Sequence, residues 1–196
     1  MKLSHVLTAP NTLTLLRMIF VPFIVIHLVE GRYLWALVVF ICAGFSDGLD
    51  GLLARTLHQQ TLLGQYLDPI ADKLLLSSIF LVLSILHKIP WKYAVMVFSR
   101  DISILAASAV LFSIAGLRNF SPSIFGKANT FSQIAAVFFV LLLEIEPQKW
   151  VWIGRTIFLR ATFIFTMLSA LHYVILVQHR LREHQHALPA ARSSAA

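Results

Sequence analysis

Apolar residues follow one another along this chain in long blocks, and polar residues are gathered between the blocks and at their ends. A helix needs about 20 apolar residues to cross the hydrocarbon core of a bilayer. Six blocks approach this length. The pattern therefore predicts six transmembrane helices, over residues 12–28, 33–53, 62–86, 93–115, 128–143 and 152–177.

The composition supports the same fold class. Hydrophobic residues make up 58% of the chain and charged residues 13%, with a mean hydropathy of +0.79, whereas soluble domains carry about 25% charged residues. We therefore expect an all-α integral membrane protein. Residues 1–11 are predicted to form an N-terminal juxtamembrane segment, 12–177 the six-helix domain, and 178–196 a polar, disordered tail.

The net charge of +7 comes from scattered residues at the ends of the blocks. There is no dense basic run, so we expect contacts with membrane lipids and no nucleic-acid partner. Of the Lys and Arg residues assigned to loops and tails, eight fall on the side of the termini and five on the other side. This bias predicts cytoplasmic termini in a bacterial inner (plasma) membrane. Cys42 is the only cysteine, which rules out an internal disulfide.

Four of the five aspartates interrupt the apolar pattern within one window of 26 residues: Asp47, Asp50, Asp68 and Asp72. The first two are three residues apart and the last two are four apart, so each pair shares one face of a helix. The pairs lie at adjoining ends of consecutive antiparallel spans. Four carboxylates would repel one another there, and one or two Mg²⁺ or Mn²⁺ ions, which prefer oxygen ligands, remove that repulsion. The sequence predicts that all four aspartates are metal ligands at a membrane surface, a setting that indicates phosphate chemistry.

Small residues accompany the first aspartate pair. Gly51 and Ala54 leave room for a ligand, or for a neighbouring helix, to approach the backbone. Arg55, one turn beyond, could bind a phosphate or anchor the span among lipid headgroups.

These residues form the pattern D-x-x-D-G-x-x-A-R, eight residues, G-x-x-x-D-x-x-x-D, from Asp47 to Asp72. The pattern resembles the signature of the CDP-alcohol phosphotransferase family, and every fixed position is filled. Segment 10–17 (PNTLTLLR) is similar to the family's opening motif. Segments 99–101 (SRD) and 126–130 (GKANT) resemble later landmarks of its phosphatidylglycerophosphate synthase and cardiolipin synthase branches.

The resemblance implies six transmembrane helices, a polar cavity facing the cytoplasm, two divalent ions and a CDP-diacylglycerol donor. It implies that Asp47, Asp50 and Asp68 bind metal and that Asp72 is the general base, which also touches a metal. It assigns the donor's nucleotide and diphosphate to Asn11, Thr12, Gly51, Ala54 and Arg55. It also implies a homodimer.

The acceptor alcohol is less well determined. Arg100, Arg118 and Lys127 are candidates for binding an anionic acceptor, although Arg118 and Lys127 could equally be ordinary loop charges. Arg100 lies inside a predicted span, where a charged residue is a candidate for a functional role. The alternative is an ion pair with Asp101 that only stabilises the fold. We favour glycerol 3-phosphate as acceptor, as in phosphatidylglycerophosphate synthases. Asp101 and Asn129 depart from that branch and favour phosphatidylglycerol, as in cardiolipin synthases.

Two non-enzymatic interpretations fit the sequence less well. A transporter would place its carboxylates along a pathway at the bilayer midplane, whereas these aspartates gather near one face. A catalytically inactive scaffold would be expected to lose an aspartate, and none is missing.

Overall fold

The structure is a computed structural model that describes the backbone of residues 9–57, 62–115 and 124–193, and the side chains of residues 19–46, 73–104 and 126–171. Within these ranges the chain is all-helical. The helices are α1 (Ala9–Val29), α2 (Tyr33–Leu57), α3 (Leu62–Ile85), α4 (Trp91–Ala115), α5 (Ile124–Ile145) and α6 (Lys149–Ser193).

The six predicted helices coincide with these six, and most of their ends agree within a few residues. The difference lies at the carboxyl end, where a disordered tail was predicted from residue 178. There the backbone of α6 stays helical through Ser193, which makes α6 45 residues long. The physical reason is local, because 11 of the 16 residues in 178–193 are Ala, Leu, Arg, Gln or Glu, which are strong helix formers even without an apolar face, although Pro189 is not.

Short turns join the helices in antiparallel pairs. Gly31 lies between α1 and α2 with a φ of +71°, the left-handed conformation that glycine adopts without strain. His87 takes a similar φ of 58° between α3 and α4. The third short turn joins α5 to α6. These three turns lie at one end of the bundle, which we call the turn end.

The opposite end, which we call the site end, collects the carboxyl ends of α2 and α4 and the amino ends of α1, α3 and α5. Leu57 and Leu62 bound α2 and α3 and are five residues apart, a span of at most about 17 Å. A helix of 25 residues is about 37 Å long. The end of α2 and the start of α3 therefore lie at the same end of the molecule.

Helix contacts close the bundle into a ring. In order around it, α1 packs on α2, α2 on α5, α5 on α6, α6 on α4, α4 on α3, and α3 on α1, while α3 also touches α5. Each helix thus has two neighbours on the ring, and all six contribute to one interior.

The interior is mainly apolar towards the turn end and polar towards the site end. Along α5, buried Asn129 and Gln133 come first and buried Val140 and Leu141 follow. Along α4, which runs the other way, buried Val97 precedes the buried pair Arg100 and Asp101. On both helices the buried polar residues therefore lie nearer the site end, and the buried apolar residues nearer the turn end.

An ion pair and its neighbours tie the three turns together. Lys88 Nζ donates to Glu144 Oε2 at 2.5 Å and lies 5.0 Å from the centre of the Tyr33 ring. Arg155 Nη2 donates to the Lys88 backbone carbonyl at 2.6 Å. The hydrogen bond to Glu144 raises the pKa of Lys88 above its usual 10.5, against the opposing effect of burial. We call these four residues the turn-end cluster.

Large apolar side chains cover much of the described surface. Trp91, Trp150 and Trp152 are each more than half exposed near the turn end, as expected of tryptophans at a membrane interface. Two helical stretches among the described residues, Gly126–Ile145 and Lys149–Leu171, are long and apolar enough to cross a membrane, and Ile19–Val29, Tyr33–Ser46 and Lys73–Ile85 are shorter apolar helices. Such a surface is unusual for a soluble monomer.

Candidate functional site

The structure places the two aspartate pairs on adjoining ends of two helices. Asp47 and Asp50 lie in the second half of α2, and Asp68 and Asp72 in the first half of α3. The backbone is helical at all four positions, so the spacings of three and four residues place each pair on one helix face. Their side chains lie outside the described side chains, and their roles stay predictions.

The residues assigned to the donor are at the same end. Asn11 and Thr12 lie in the first turn of α1, and Gly51, Ala54 and Arg55 lie in the last turns of α2. The fold thus gathers both sets at the site end. Their side chains, too, lie outside the described ones, and Arg118 lies outside the described residues altogether.

The four aspartates suit a hard divalent cation as metal ligands. Four carboxylates on two helical segments supply only oxygen ligands, which Mg²⁺ and Mn²⁺ prefer. Among the side chains that the structure describes, no group of three or more His, Cys, Asp or Glu residues forms a rival metal site. The four aspartates therefore remain the candidate metal ligands.

A buried ion cluster begins one residue after Asp72. Asp101 accepts hydrogen bonds from Lys73 Nζ at 2.7 Å, from Ser77 Oγ at 2.9 Å and from Arg100 Nη1 at 2.8 Å. Arg100 and Asp101 are 5% and 7% exposed. The structural pair that the sequence left open is therefore present, and it links α4 to α3.

The cluster continues onto α5 and α6. Arg100 Nη2 donates to Ser169 Oγ at 3.5 Å, and Thr166 Oγ1 donates to Asn129 Oδ1 at 3.0 Å. Thr166 and Ser169 are three residues apart and share one face of α6, so Arg100 and Asn129 meet the same stretch of that helix. Gln133 is one turn after Asn129 on the buried side of α5. We call the whole set the polar seam: Lys73, Ser77, Arg100, Asp101, Asn129, Gln133, Thr166 and Ser169.

Three N–H groups in the polar seam lack a hydrogen-bond partner within the described part of the chain. They are Arg100 Nε, Asn129 Nδ2 and Gln133 Nε2, on side chains that are 5%, 0% and 2% exposed. A buried donor without an acceptor is costly. All three are donors, so the seam offers N–H groups to acceptor oxygens.

Sequence reasoning found Arg100 but missed Gln133, and it used Asn129 only to compare branches. The available signal was the spacing, since an Asn and a Gln four residues apart inside an apolar span share one buried face. The third acceptor candidate, Lys127, is exposed near the start of α5 and lies two residues before Asn129.

An apolar cavity of about 540 Å³ lies between α2, α3 and α5. Its lining includes Gly44 and Phe45, just before Asp47, and Leu75, three residues after Asp72. Thr130 and Phe131 line it on the α5 side. The volume is within the range of about 300–1,000 Å³ usual for small-molecule sites. The two aspartate segments thus border an apolar chamber on one side and the polar seam on another.

Comparison with known proteins agrees with these features. A Shigella flexneri protein named CDP-diacylglycerol--glycerol-3-phosphate 3-phosphatidyltransferase is 33% identical over 84% of this chain and 92% of that protein. A Mycobacterium tuberculosis protein named "Probable phosphatidylglycerophosphate synthase" is 29% identical over 87% of this chain and 82% of its own length. The human protein named cardiolipin synthase (CMP-forming) is 39% identical over 51% of this chain, which is 34% of the human protein.

The sequence profile of the CDP-alcohol phosphatidyltransferase family matches residues 7–177. This match includes α1 to α5, about the first two-thirds of α6, and all four aspartates. The resemblance drawn from the signature is thereby confirmed. The chain belongs to the CDP-alcohol phosphatidyltransferase family, whose members are membrane-associated transferases of phospholipid biosynthesis.

Proposed function

We propose that this chain transfers the phosphatidyl group of CDP-diacylglycerol to glycerol 3-phosphate, which gives phosphatidylglycerophosphate and releases CMP. The observation that carries the proposal is the match to the Shigella flexneri relative named for this reaction, which extends over 84% of this chain and 92% of the relative. The two aspartate pairs on adjoining helices supply the chemistry that such a transfer needs.

In the proposed reaction the acceptor's hydroxyl oxygen attacks the phosphorus that carries the diacylglycerol. A new P–O bond forms, and the P–O bond to CMP breaks. The carboxylate of Asp72 accepts the hydroxyl proton as general base. Arg55 lies near the diphosphate, and Asn11, Thr12, Gly51 and Ala54 hold the cytidine end.

Two Mg²⁺ or Mn²⁺ ions held by Asp47, Asp50, Asp68 and Asp72 would neutralise the diphosphate and the charge that develops on CMP. The support is the set of candidate metal ligands, four carboxylates on two helical segments whose ends adjoin. Neither Cys42, exposed on an apolar part of α2, nor a histidine is required.

The apolar cavity suits an acyl chain of the donor. Its lining residues Phe45 and Leu75 are within three residues of Asp47 and Asp72. If the diphosphate of the lipid lies at the aspartates, its acyl chain can therefore reach the apolar cavity. Burial of methylene groups there would contribute about 0.8 kcal/mol each to donor binding.

Cardiolipin synthesis, with phosphatidylglycerol as acceptor, is the second candidate. Asp101 and Asn129 favour it, because they differ from the residues usual in the phosphatidylglycerophosphate branch. The human relative that is 39% identical over 101 residues carries the cardiolipin synthase name.

We further propose that all six helices cross the bacterial inner membrane, that the site end faces the cytoplasm, and that two copies associate. Each of the six helices has at least 21 residues, which is more than about 30 Å of helix. The exposed tryptophans at the turn end and the larger number of cations at the site end favour this orientation.

An acceptor screen tests the proposed function. The purified chain receives labelled CDP-diacylglycerol with Mg²⁺ or Mn²⁺ and one alcohol at a time, and CMP and the lipid product are measured. We expect phosphatidylglycerophosphate with glycerol 3-phosphate. Cardiolipin from phosphatidylglycerol would select the second candidate, and no CMP release with any alcohol would reject both.

A further inference from the structure

An arginine lies on the outer surface of α6, in the middle of an apolar stretch. Arg160 is exposed and belongs to the stretch Lys149–Leu171, which is long and apolar enough to cross a membrane. Trp152, near the turn end, is eight residues before it, or about 12 Å along the helix axis. Half of the hydrocarbon core of a bilayer is about 15 Å thick. With Trp152 at the interface, Arg160 therefore lies close to the middle of the bilayer.

Arg100 shows how this chain accommodates an arginine inside the bundle. It is 5% exposed and donates to Asp101 Oδ1 at 2.8 Å. By contrast, the guanidinium of Arg160 forms no ion pair or hydrogen bond with any side chain that the structure describes. Charged side chains within a bilayer almost always face protein or water and pair with an opposite charge. Arg160 thus lacks, among the described side chains, the anion that its position calls for.

Arg160 lies near the centre of a straight row of exposed side chains, which we call the α6 stripe. Its members are four and three residues apart in alternation, so they share one face of the helix. Each apolar member is at least half exposed. The members are Ile153, Ile157, Arg160, Ile164, Met167 and Leu171. Alternation of four and three is the spacing with which one helix packs along another over several turns.

A second copy of this chain does not suit the α6 stripe. Two copies in one membrane have the same orientation, and a symmetric contact would place the stripe of each against that of the other. The two Arg160 side chains would then meet at the same depth, where like charges repel strongly because the dielectric constant is low. The charge calls instead for a carboxylate at that depth.

We propose that the α6 stripe binds a transmembrane helix of another protein, which carries Asp or Glu near the middle of its span and pairs that carboxylate with Arg160. The apolar members of the stripe pack against this helix, and the ion pair fixes its register. This inference goes beyond the proposed phosphatidyl transfer. It depends only on α6 crossing the membrane.

A model helix tests the proposal. The probe is a synthetic transmembrane peptide of about 20 leucine and alanine residues with one Glu at its centre, and the control peptide has Gln there. Energy transfer between the labelled full chain and each labelled peptide in phosphatidylcholine vesicles measures association. We expect wild type to bind the Glu peptide about 3- to 30-fold more tightly than the Gln peptide, the range for polar contacts between helices in bilayers.

Variants of the α6 stripe assign this preference to individual side chains. Arg160→Leu should bind both peptides equally, while Arg160→Lys keeps the cation and should retain the preference for Glu. Ile164→Ala should weaken the binding of both peptides, because it removes apolar contact area. Ile26→Ala makes the same change at a half-exposed position on α1 and should leave binding unchanged.

Equal binding of the two peptides to wild type, or an undiminished preference for Glu in Arg160→Leu, would overturn the proposal. The competing occupant is a lipid phosphate, which Arg160 would reach by extending towards the headgroups. If phosphatidylglycerol added to the vesicles abolishes the preference for Glu, the lipid occupies Arg160 and the proposal fails. The assay contains no substrate, so its failure leaves the proposed transfer standing.

Discussion

A single carboxylate organises the charged part of the interior. Asp101 is 7% exposed and accepts from three side chains on α3 and α4. Asp101 thus pairs with two cations in a setting where an uncompensated charge is expensive. Removing the charge of Asp101 should cost more than removing the whole Arg100–Asp101 pair.

We therefore predict that Asp101→Asn lowers the free energy of unfolding by about 3–5 kcal/mol, because it removes the charge of the carboxylate that Arg100 and Lys73 share. The double variant Arg100→Met with Asp101→Leu should lose less stability than Asp101→Asn alone. Denaturant titration in detergent micelles measures both. A wild-type midpoint for Asp101→Asn would contradict the prediction.

Gly154 allows α6 to approach α5 closely. A Cβ atom at this position would lie 2.5 Å from Phe139 Cε1 and 2.6 Å from Cδ1. The Phe139 ring is stacked on Phe158, with centroids 5.3 Å apart and planes at 14°, so it has little freedom to move away.

Gly154→Ala should accordingly destabilise the protein by about 1–3 kcal/mol through overpacking. Gly44→Ala is the matched control, since a Cβ there would meet nothing within 4 Å. Thermal unfolding in micelles compares the two variants. Equal melting temperatures for both variants would contradict the prediction, since they would mean that the Phe139 ring moves aside without cost.

If Asp72 is the general base, Asp72→Asn should abolish transfer and largely spare binding of CDP-diacylglycerol, because the amide cannot accept the hydroxyl proton. Asp68→Ala should weaken metal binding as well as activity. CMP release and Mn²⁺ titration distinguish the two effects. Near-normal turnover of Asp72→Asn would remove Asp72 as the base, and unchanged metal affinity of Asp68→Ala would remove Asp68 as a ligand.

At the scale of elements, the helices were predictable because each is a long apolar block with polar residues at its ends. The tail after residue 177 was not, because helix propensity without an apolar face was read as disorder. The aspartate pairs were singled out by their spacing, and their role as metal ligands stays a prediction. By contrast, the Asn129–Thr166 and Arg100–Ser169 contacts join residues 37 and 69 positions apart, and a single sequence does not specify such pairings.

The turn-end cluster gives a pH-dependent contribution to stability. The pKa of Lys88 is raised above 10.5 by its hydrogen bond to Glu144. A raised pKa in the folded state means that the contribution is fully present below pH 10.5 and is lost as pH rises through the folded-state value.

Unfolding midpoints of wild type and Lys88→Gln should therefore differ by a constant amount from neutral pH to about pH 10 and converge at higher pH. Lys149→Gln, an exposed change near the same turns, should show no such convergence. A difference between wild type and Lys88→Gln that persists undiminished well above the usual lysine pKa would contradict the assignment.

At the scale of the whole molecule, the ring of six helices separates a polar interior near the site end from an apolar interior near the turn end. The sequence was sufficient to predict the number of helices and their alternating directions along the chain. The ring order was beyond it, because contacts such as α2 with α5 and α4 with α6 depend on side-chain fit between distant segments.

The proposed orientation can be tested by cysteine labelling in a Cys42→Ala background. Gln148→Cys, in the turn between α5 and α6, should react with a membrane-impermeant maleimide on intact cells. Arg180→Cys, in the last third of α6, should react only after permeabilisation. The reverse pattern would place the aspartates outside the cytoplasm.

The turn-end cluster also has a mechanical consequence. Lys88, Glu144, Arg155 and Tyr33 fasten the three short turns at one end of the bundle, so a rotation of a helix about that end would displace its opposite end the most. A helix of 24 residues, such as α3, is about 36 Å long. A tilt of about 5° at the pivot would move its far end by about 3 Å, so large displacements at the aspartates need only small rotations at the fastened turns.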